Sequence, residues 1–585
     1  MSTQQDASAI DAVTAEVIRS GVVAITDEMK TNLMRTAYNM IIYEALDFTV
    51  GLFDAKGNTI SIGLGLPMFI RGLSDTIKAK LEFFAPGSPT GGIEPGDILL
   101  TNDSYIMGSH LNHMVFTVPI FWEGEIVAFA SSMAHWQDVG GVLGGATRDI
   151  FSEGLQLPIV KIFKRGVQDQ ELTEIIKANV RLPELAMGDF RAQVAAVRTG
   201  ERRFLRLLER YGRSAVLGSI DRIYEQSERL ARANVATIPD GIYEAESFMD
   251  DDGITEGERI PIKVKVIVEG EQMTIDLTDV SRQVGGYYNS GATAGRSAAE
   301  VAFKCITSPL LQPINHGSFL PLDVILPPGR VVSATKPAAM RMWMTIPMTI
   351  VDTIIRALST AIPDRTAAGH HADLVIAGTY GVDPRTGRFF FGPVGPQGGG
   401  YGAKYNEDGM SGTVCINDGD THNAPIEAGE AKAPIVVREH LLRPDSGGAG
   451  EFRGGLGIRR VVEARSPVTV NSQIERTQCA PWGLEGAQAG MANHIHVERA
   501  DGERFEKANG KLYNVQLAPG DRYVIESGGG GGFGDPRMRS AERVAADVRN
   551  GYVSPESALD DYGVALTDGL DVDRVATEQA RTERR

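Results

Sequence analysis

Between residues 8 and 40, apolar positions at Ile10, Val13, Val17, Ile25, Met29 and Leu33 recur near helical spacing and predict a long helix, weakened in its middle by Gly21. The pattern then changes period. LDFTVGLFDAKGNTIS, residues 46–61, alternates around a Lys-Gly-Asn turn and predicts a β-hairpin. IEPGDILLTND predicts a strand entered through a Pro-Gly turn, and MVFTVPIFW and EIVAFASSM predict a second hairpin turning at Glu123-Gly124.

From 170 to about 212 the helical period returns, interrupted by one proline break before ELAMGDFRAQVAAVRTG. At 240 a β-rich segment begins, in which IPIKVKVIV and QMTIDLTDV alternate, and PMTIVDTIIRALSTAI near 347 predicts one buried helix. Beyond 366 glycine clusters crowd between short strands. SAERVAADVRNGYVSPESALDDYGV then predicts a helical tail, with Ser554-Pro555-Glu556 as a helix start. The expected class is α+β. The expected divisions are an N-terminal α+β region at 1–239, a central α+β domain at 240–365, a glycine-rich β domain at 366–536 and a helical tail at 537–585. No tandem repeat of fixed period is visible.

At 585 residues the chain is too long for a single core, in keeping with several domains. A net charge of −17 argues against a nucleic-acid or anionic-membrane partner, either of which calls for basic patches. Cys305, Cys415 and Cys479 lie far apart with no CxxC pairing, which implies a reducing compartment and buried structural thiols. The first residues, MSTQQDASAIDAVTAEV, are polar and acidic with no leader pattern, and no stretch has the apolar length of a membrane span. The expected location is cytoplasmic.

Histidine usage changes this plain picture. Of ten histidines none precedes residue 110 and none falls between 135 and 316, yet His110, His113 and His135 lie close together. The second hairpin brings residues near 112 and 113 opposite those near 134 and 135, where cross-strand Cβ atoms are about 4.5–5.5 Å apart. A one-residue slip would reverse a side chain, so the pattern leaves open which of His110 and His113 points with His135. Imidazole is the commonest transition-metal ligand near neutral pH, and three protein ligands with an open position describe a catalytic site. Asp47, Asp103 and Asp138 are nearby carboxylates, Asp103 the weakest of them. The plainer alternative is histidines that satisfy hydrogen bonds at strand ends.

Other motifs carry less. No GxxxxGK[ST] occurs, so the glycine runs predict turns between strands rather than an ATP cradle. His370-His371 with Asp373 predicts a turn or helix-end pair without metal. For His422 in NDGDTHNAPIEAGE, lining a pocket is the most that is expected.

Taken together, LDFTVGLFDAKGN, GDILLTNDSYIMGSHLNH, AHWQDVGG, EGLQLPIVK, GDFRAQVAAVRTG, PINHGSFLPLDVILPPG, NAPIEAGEAKAP, RPDSGGAGEFRGGLG and SGGGGGFGDP resemble the hydantoinase B/oxoprolinase family, in order and over essentially the whole chain. The resemblance implies a B-type subunit working with a larger A-type partner that binds ATP. Such enzymes open cyclic amides (N-methylhydantoin, 5-oxoproline, caprolactam) or carboxylate ketones. It also implies a divalent metal held by Asp47, His110, His113 and His135. Asp47 is expected as a ligand or as the base that orients a water, and the position of Asp138, three residues after His135, predicts a partner that fixes an imidazole tautomer.

Two departures stand out. HLNH replaces the family's HLxD, putting His113 where an aspartate is expected, and NDSYIMGS replaces a glycine pair. A neutral ligand in place of an anionic one raises the site's charge by one unit. That makes zinc the expected ion, with manganese or iron as alternatives. The leading expectation is a cyclic amide hydrolase. A ketone carboxylase subunit and a non-catalytic scaffold that completes the partner's site remain open.

Overall fold

The computed structural model describes residues 11–307, 314–393, 397–419 and 421–583. In the N-terminal region helices α1 (Ala12–Thr36), α2 (Met40–Tyr43), α3 (Gly72–Phe83), α4 (Ser104–Met107), α5 (Gln170–Asn179), α6 (Pro183–Tyr211) and α7 (Arg213–Val235) surround seven strands. These are β1 (Phe48–Asp54), β2 (Thr59–Leu64), β3 (Ile98–Thr101), β4 (His113–Trp122), β5 (Glu125–His135), β6 (Val160–Lys164) and β7 (Val167–Gln168). They form one antiparallel sheet in the order β2-β1-β5-β4-β3-β6-β7.

The Asp11 side chain caps α1 by accepting from the Val13 and Thr14 amides. The helix ends at Thr36, past its last apolar position at Leu33 but short of the expected residue 40, because Ala37 is extended; Ile10 lies outside the described residues. Ile18, Val22, Met29 and Leu33 pack with Ala192, Ala196 and Phe204 of α6 onto Val50, Leu52 and Ala130. The opposite face buries Phe53, Val115, Phe129 and Met133 under Leu73, Ile77 and Trp343. A sheet covered on both sides explains why MVFTVPIF is a continuous apolar run rather than an alternating one.

The central region has a four-stranded sheet, β8 (Gly241–Met249), β9 (Ile260–Glu269), β10 (Gln272–Asp276) and β11 (Leu322–Ile325), in which β11 joins β10 in parallel. Helices α8 (Ala292–Thr307) and α9 (Thr345–Leu358) cover one face only. Accordingly β9 alternates between buried and open positions.

The glycine-rich region contains β12 (Ala377–Asp383), β13 (Arg388–Pro393), α10 (Ile426–Lys432), β14 (Ile435–Leu442), β15 (Ile458–Ala464), β16 (Val468–Ser472), β17 (His494–Glu498), β18 (Arg504–Glu506), β19 (Val515–Leu517) and β20 (Arg522–Glu526). Sheets β13-β12-β16-β19 and β14-β15-β20-β17-β18 share a core built around Val462, Val470, Ile495 and Ile525. Here the glycine runs differ from expectation. Gly400, Gly448 and Gly530 donate to the Gly528, Gly530 and Gly455 carbonyls, so the runs are stacked extended segments rather than turns. A Cβ on Gly530 would meet the Tyr401 carbonyl oxygen at 1.9 Å, so close backbone approach explains the residue choice.

The tail forms three helices, α11 (Ala541–Arg549), α12 (Pro555–Asp560) and α13 (Arg574–Glu583), with Ser554 capping α12 as expected. Cys415 and Cys479 are buried, but Cys305 on α8 is exposed and so departs from the expected burial. Among the described residues no helix is long and apolar enough to cross a membrane.

Candidate metal centre

The hairpin register settles the ambiguity left by the sequence. His113, first residue of β4, lies directly opposite His135, last residue of β5. The turn is made at Glu123 and Gly124, both with positive φ (51° and 86°), which matches the right-handed twist of the two strands. His110 reaches the same mouth from the loop after α4. That helix ends at Gly108, whose φ of 86° turns the chain where a Cβ would collide with the Ala294 amide. Asp47 immediately precedes β1, and its carbonyl accepts from the His135 amide at 3.1 Å.

The three imidazoles form a compact group, with ring centroids 4.6 Å (His110–His113), 4.8 Å (His110–His135) and 5.3 Å (His113–His135) apart. Phe69 abuts His113 edge-on at 4.9 Å, and Trp343 lies 5.9 Å from His113 and 6.2 Å from His110. His113 is held at both nitrogens, by Asp47 Oδ1 at Nε2 (3.0 Å) and Ser109 Oγ at Nδ1 (3.0 Å). The Arg341 carbonyl lies 3.3 Å from His110 Nδ1. Nε2 of His110 and Nδ1 of His135 are buried without a hydrogen-bond partner. Buried nitrogens are rarely left so, and each such atom calls for an explanation.

Burial drives the electrostatics. It pushes His110 well below the usual histidine range and His135 down to about 4, with the neighbouring His113 adding to both. Both rings are therefore neutral near pH 7, the form that offers a lone pair. Burial alone would raise Asp47, but the charge of His113, its hydrogen bond and His135 together hold that carboxyl below its ordinary value.

The sign of the pH dependence follows from His135. Between roughly pH 6.5, where an unfolded histidine titrates, and about 4, where His135 does, the unfolded chain binds more protons than the native one. Stability therefore falls as the pH drops through that window. A His135→Ala chain lacks this linkage. In chelator-treated protein the melting temperature of the variant, relative to wild type, should rise as the pH is lowered from 7 to 4; a constant difference would contradict the assignment.

A cavity of about 230 Å³ opens beside the cluster. Asp47, His110 and His135 form part of its wall, and Leu374, Ile376 and Met342 make much of the remainder apolar. One functional candidate absent from the sequence reading joins them. Asp418 also lines the cavity, and its Oδ1 is buried without a partner. Burial, then the charges of Asp47 and Asp373, pushes its carboxyl well up. Its signal in the sequence is the acid-rich NDGD run that precedes His422. Thr421, not His422, is the neighbour that borders the cavity with Asp418.

The remaining candidates lie elsewhere or are engaged. Asp138 lines the cavity, but its carboxylate accepts from the Arg181 amide and, at 2.6 Å, from the Arg181 guanidinium; no imidazole bonds to it. Asp103 caps α4 by accepting from the Tyr105 amide. His370 and His371 are buried, His371 Nε2 lying 3.3 Å from Cys415 Sγ, and Asp373 accepts from the Val375 and Glu475 amides.

Three imidazoles, two of them with an unpartnered ring nitrogen and the third bonded to the Asp47 carboxylate, suit a divalent ion chemically. A preformed cage is a separate matter. Among the described residues, the one group with a ligand atom from each of three residues within 4.8 Å of the others is His494, His496 and Glu506. The trio at the β4–β5 mouth is more widely spread. It is donor chemistry and unpartnered nitrogens, rather than tight convergence, that match a cation there.

The family model described as hydantoinase B/oxoprolinase matches residues 11–536. The chain belongs to this family. The caprolactamase subunit beta of Pseudomonas jessenii is 31% identical, covering 98% of this chain and 99% of that one. The crystal structure of the ATP-dependent caprolactamase from Pseudomonas jessenii superimposes with a TM-score of 0.89 at 28% identity, over 98% of this chain and 100% of the matched one. A nucleotide-free acetone carboxylase gives a TM-score of 0.88 at 20% identity, over 98% and 83%, a likeness of fold. The same fold thus occurs in an ATP-dependent caprolactamase and in an acetone carboxylase.

Proposed function

We propose that this chain is the metal-binding B-type subunit of an ATP-dependent cyclic amide hydrolase, acting on a ring whose carbonyl oxygen has been phosphorylated in an A-type partner. The observation that carries this reading is the wall of the cavity, where imidazoles and the Asp47 and Asp418 carboxylates face an otherwise largely apolar chamber.

An unactivated lactam is a poor electrophile; phosphorylation of its oxygen makes the ring carbon electrophilic. Water adds there, the ring C–N bond breaks to leave an acyl phosphate, and a second water releases phosphate. His110, His113 and His135, with Asp47, would hold a divalent ion, zinc by donor type, with manganese or iron as alternatives. When bound, such an ion supplies Lewis acidity and acidifies water. The residues themselves do the rest. Where the imidazoles alone hold the ion, Asp47, kept ionised beside His113, can instead receive the proton of an attacking water at its carboxylate. Asp418, which holds its proton to higher pH than an ordinary carboxyl, can give one to the departing ring nitrogen. The walls of Leu374, Ile376 and Met342 limit bulk water, so that an activated substrate meets one nucleophile at a time.

Likeness of fold to acetone carboxylase supports a second reading, a ketone carboxylase subunit. The reconstituted pair, assayed for ATP hydrolysis against lactams, hydantoins and ketones, is expected to respond to a cyclic amide without added bicarbonate. Turnover only with a ketone and bicarbonate would favour the second reading. Full activity from a metal-free chain would leave it a scaffold.

A further inference from the structure

We propose a second divalent-cation site of zinc type at the edge of the five-stranded sheet, formed by His494 and His496 of β17 with Glu506 of β18. The two histidines are spaced i, i+2 on one strand and so project from the same face. Glu506 pairs directly with His496 across the β17–β18 ladder, and Glu526 of β20 pairs with His494 on the other side. Residues in register share a face, so two imidazoles and two carboxylates are gathered by backbone pairing alone.

The distances bear this out. A ligand atom from each of His494, His496 and Glu506 lies within 4.8 Å of the others. The imidazole centroids are 5.3 Å apart. His494 sits between Glu506 at 3.3 Å and Glu526 at 3.5 Å, and His496 Nε2 lies 3.2 Å from Glu498.

A second observation is independent of this convergence. His496 is 3% exposed, and its Nδ1 is buried with no hydrogen-bond partner. A histidine placed only to tie β17 to its neighbours would have both nitrogens satisfied. The site is also reachable, because β18 ends the sheet and all its residues are exposed. Arg504 and Arg459 bond to Glu506 and Glu526, at 2.9 Å each, and offset their charge. Selectivity then rests on the imidazoles, which favour zinc-like ions over magnesium or calcium.

The test uses the full chain, stripped of metal by chelation and titrated with cobalt(II) alone, whose visible absorption reports nitrogen coordination. His494→Gln and Glu506→Gln change partly exposed side chains, and circular dichroism checks that both variants keep the parent fold. Each variant should bind one equivalent of cobalt fewer than the parent, with a matching loss of visible absorption. Equal binding by the parent and both variants would overturn the site. The reading is a difference between chains, so it stands apart from the β4–β5 cluster: a His135→Ala chain should keep the equivalent that His494→Gln removes.

Discussion

Replacing His135 by alanine is expected to release the divalent ion from the β4–β5 mouth and to lower ATP-dependent turnover of the reconstituted pair by at least about 100-fold. Removing a group that merely orients a metal ligand costs roughly 10–100-fold in affinity or activity. Losing a direct donor should reach or pass the upper end of that range. The fold should survive, because His135 is the last residue of β5 and its strand pairing is made by backbone atoms. Elemental analysis and turnover are measured on the same preparation, with circular dichroism as the check on folding. Full ion content with unchanged turnover would remove His135 from the centre.

The second large effect concerns stability. Lys511 is buried, with its ammonium 2.5 Å from Glu475 and 3.2 Å from Asp251, and 4.9 Å from the Tyr288 ring centroid. Burial raises Glu475 to about 8, whereas, against burial, the ammonium and neighbouring amides hold Asp251 below its ordinary value, so Asp251 is the charge that Lys511 pairs. Lys511→Met should therefore destabilise the chain by ~3–5 kcal/mol, the range for breaking a buried pair from one side. Calorimetry should show an earlier first unfolding transition. Adding Asp251→Asn should recover part of the loss, since that second substitution removes the stranded charge. An unchanged transition in Lys511→Met would mean that these charges are solvated in a way their burial denies.

Much of the centre could be read along the chain because its determinants are local. Glu123-Gly124 marks the turn, and counting outward from it brings His113 within one residue of His135; the bulge between Ile120 and Phe121 supplies the remaining shift. The alternation of β9 was legible for a similar reason, since one face of its sheet is open and the other covered. What escaped depends on distant packing. Asp418 reaches the cavity only through the way the glycine-rich region docks against the first sheet, and no local period encodes that. Arg181, sequence-distant from Asp138, takes the carboxylate that motif spacing assigned to an imidazole. The glycine runs were read as turns because glycine is commonest there. Their use as close-packed extended layers appears only once three separate segments meet.

The cavity wall is assembled from widely separated stretches, among them Asp47, His110, His135, Trp343, Leu374, Asp418 and Gln473. This imposes an order during synthesis. A ribosome that has released only the first two hundred or so residues has delivered the imidazoles but neither Trp343 nor the acid at 418. The chamber is completed by the later part of the chain, so a nascent fragment holds the three imidazoles without the enclosure around them.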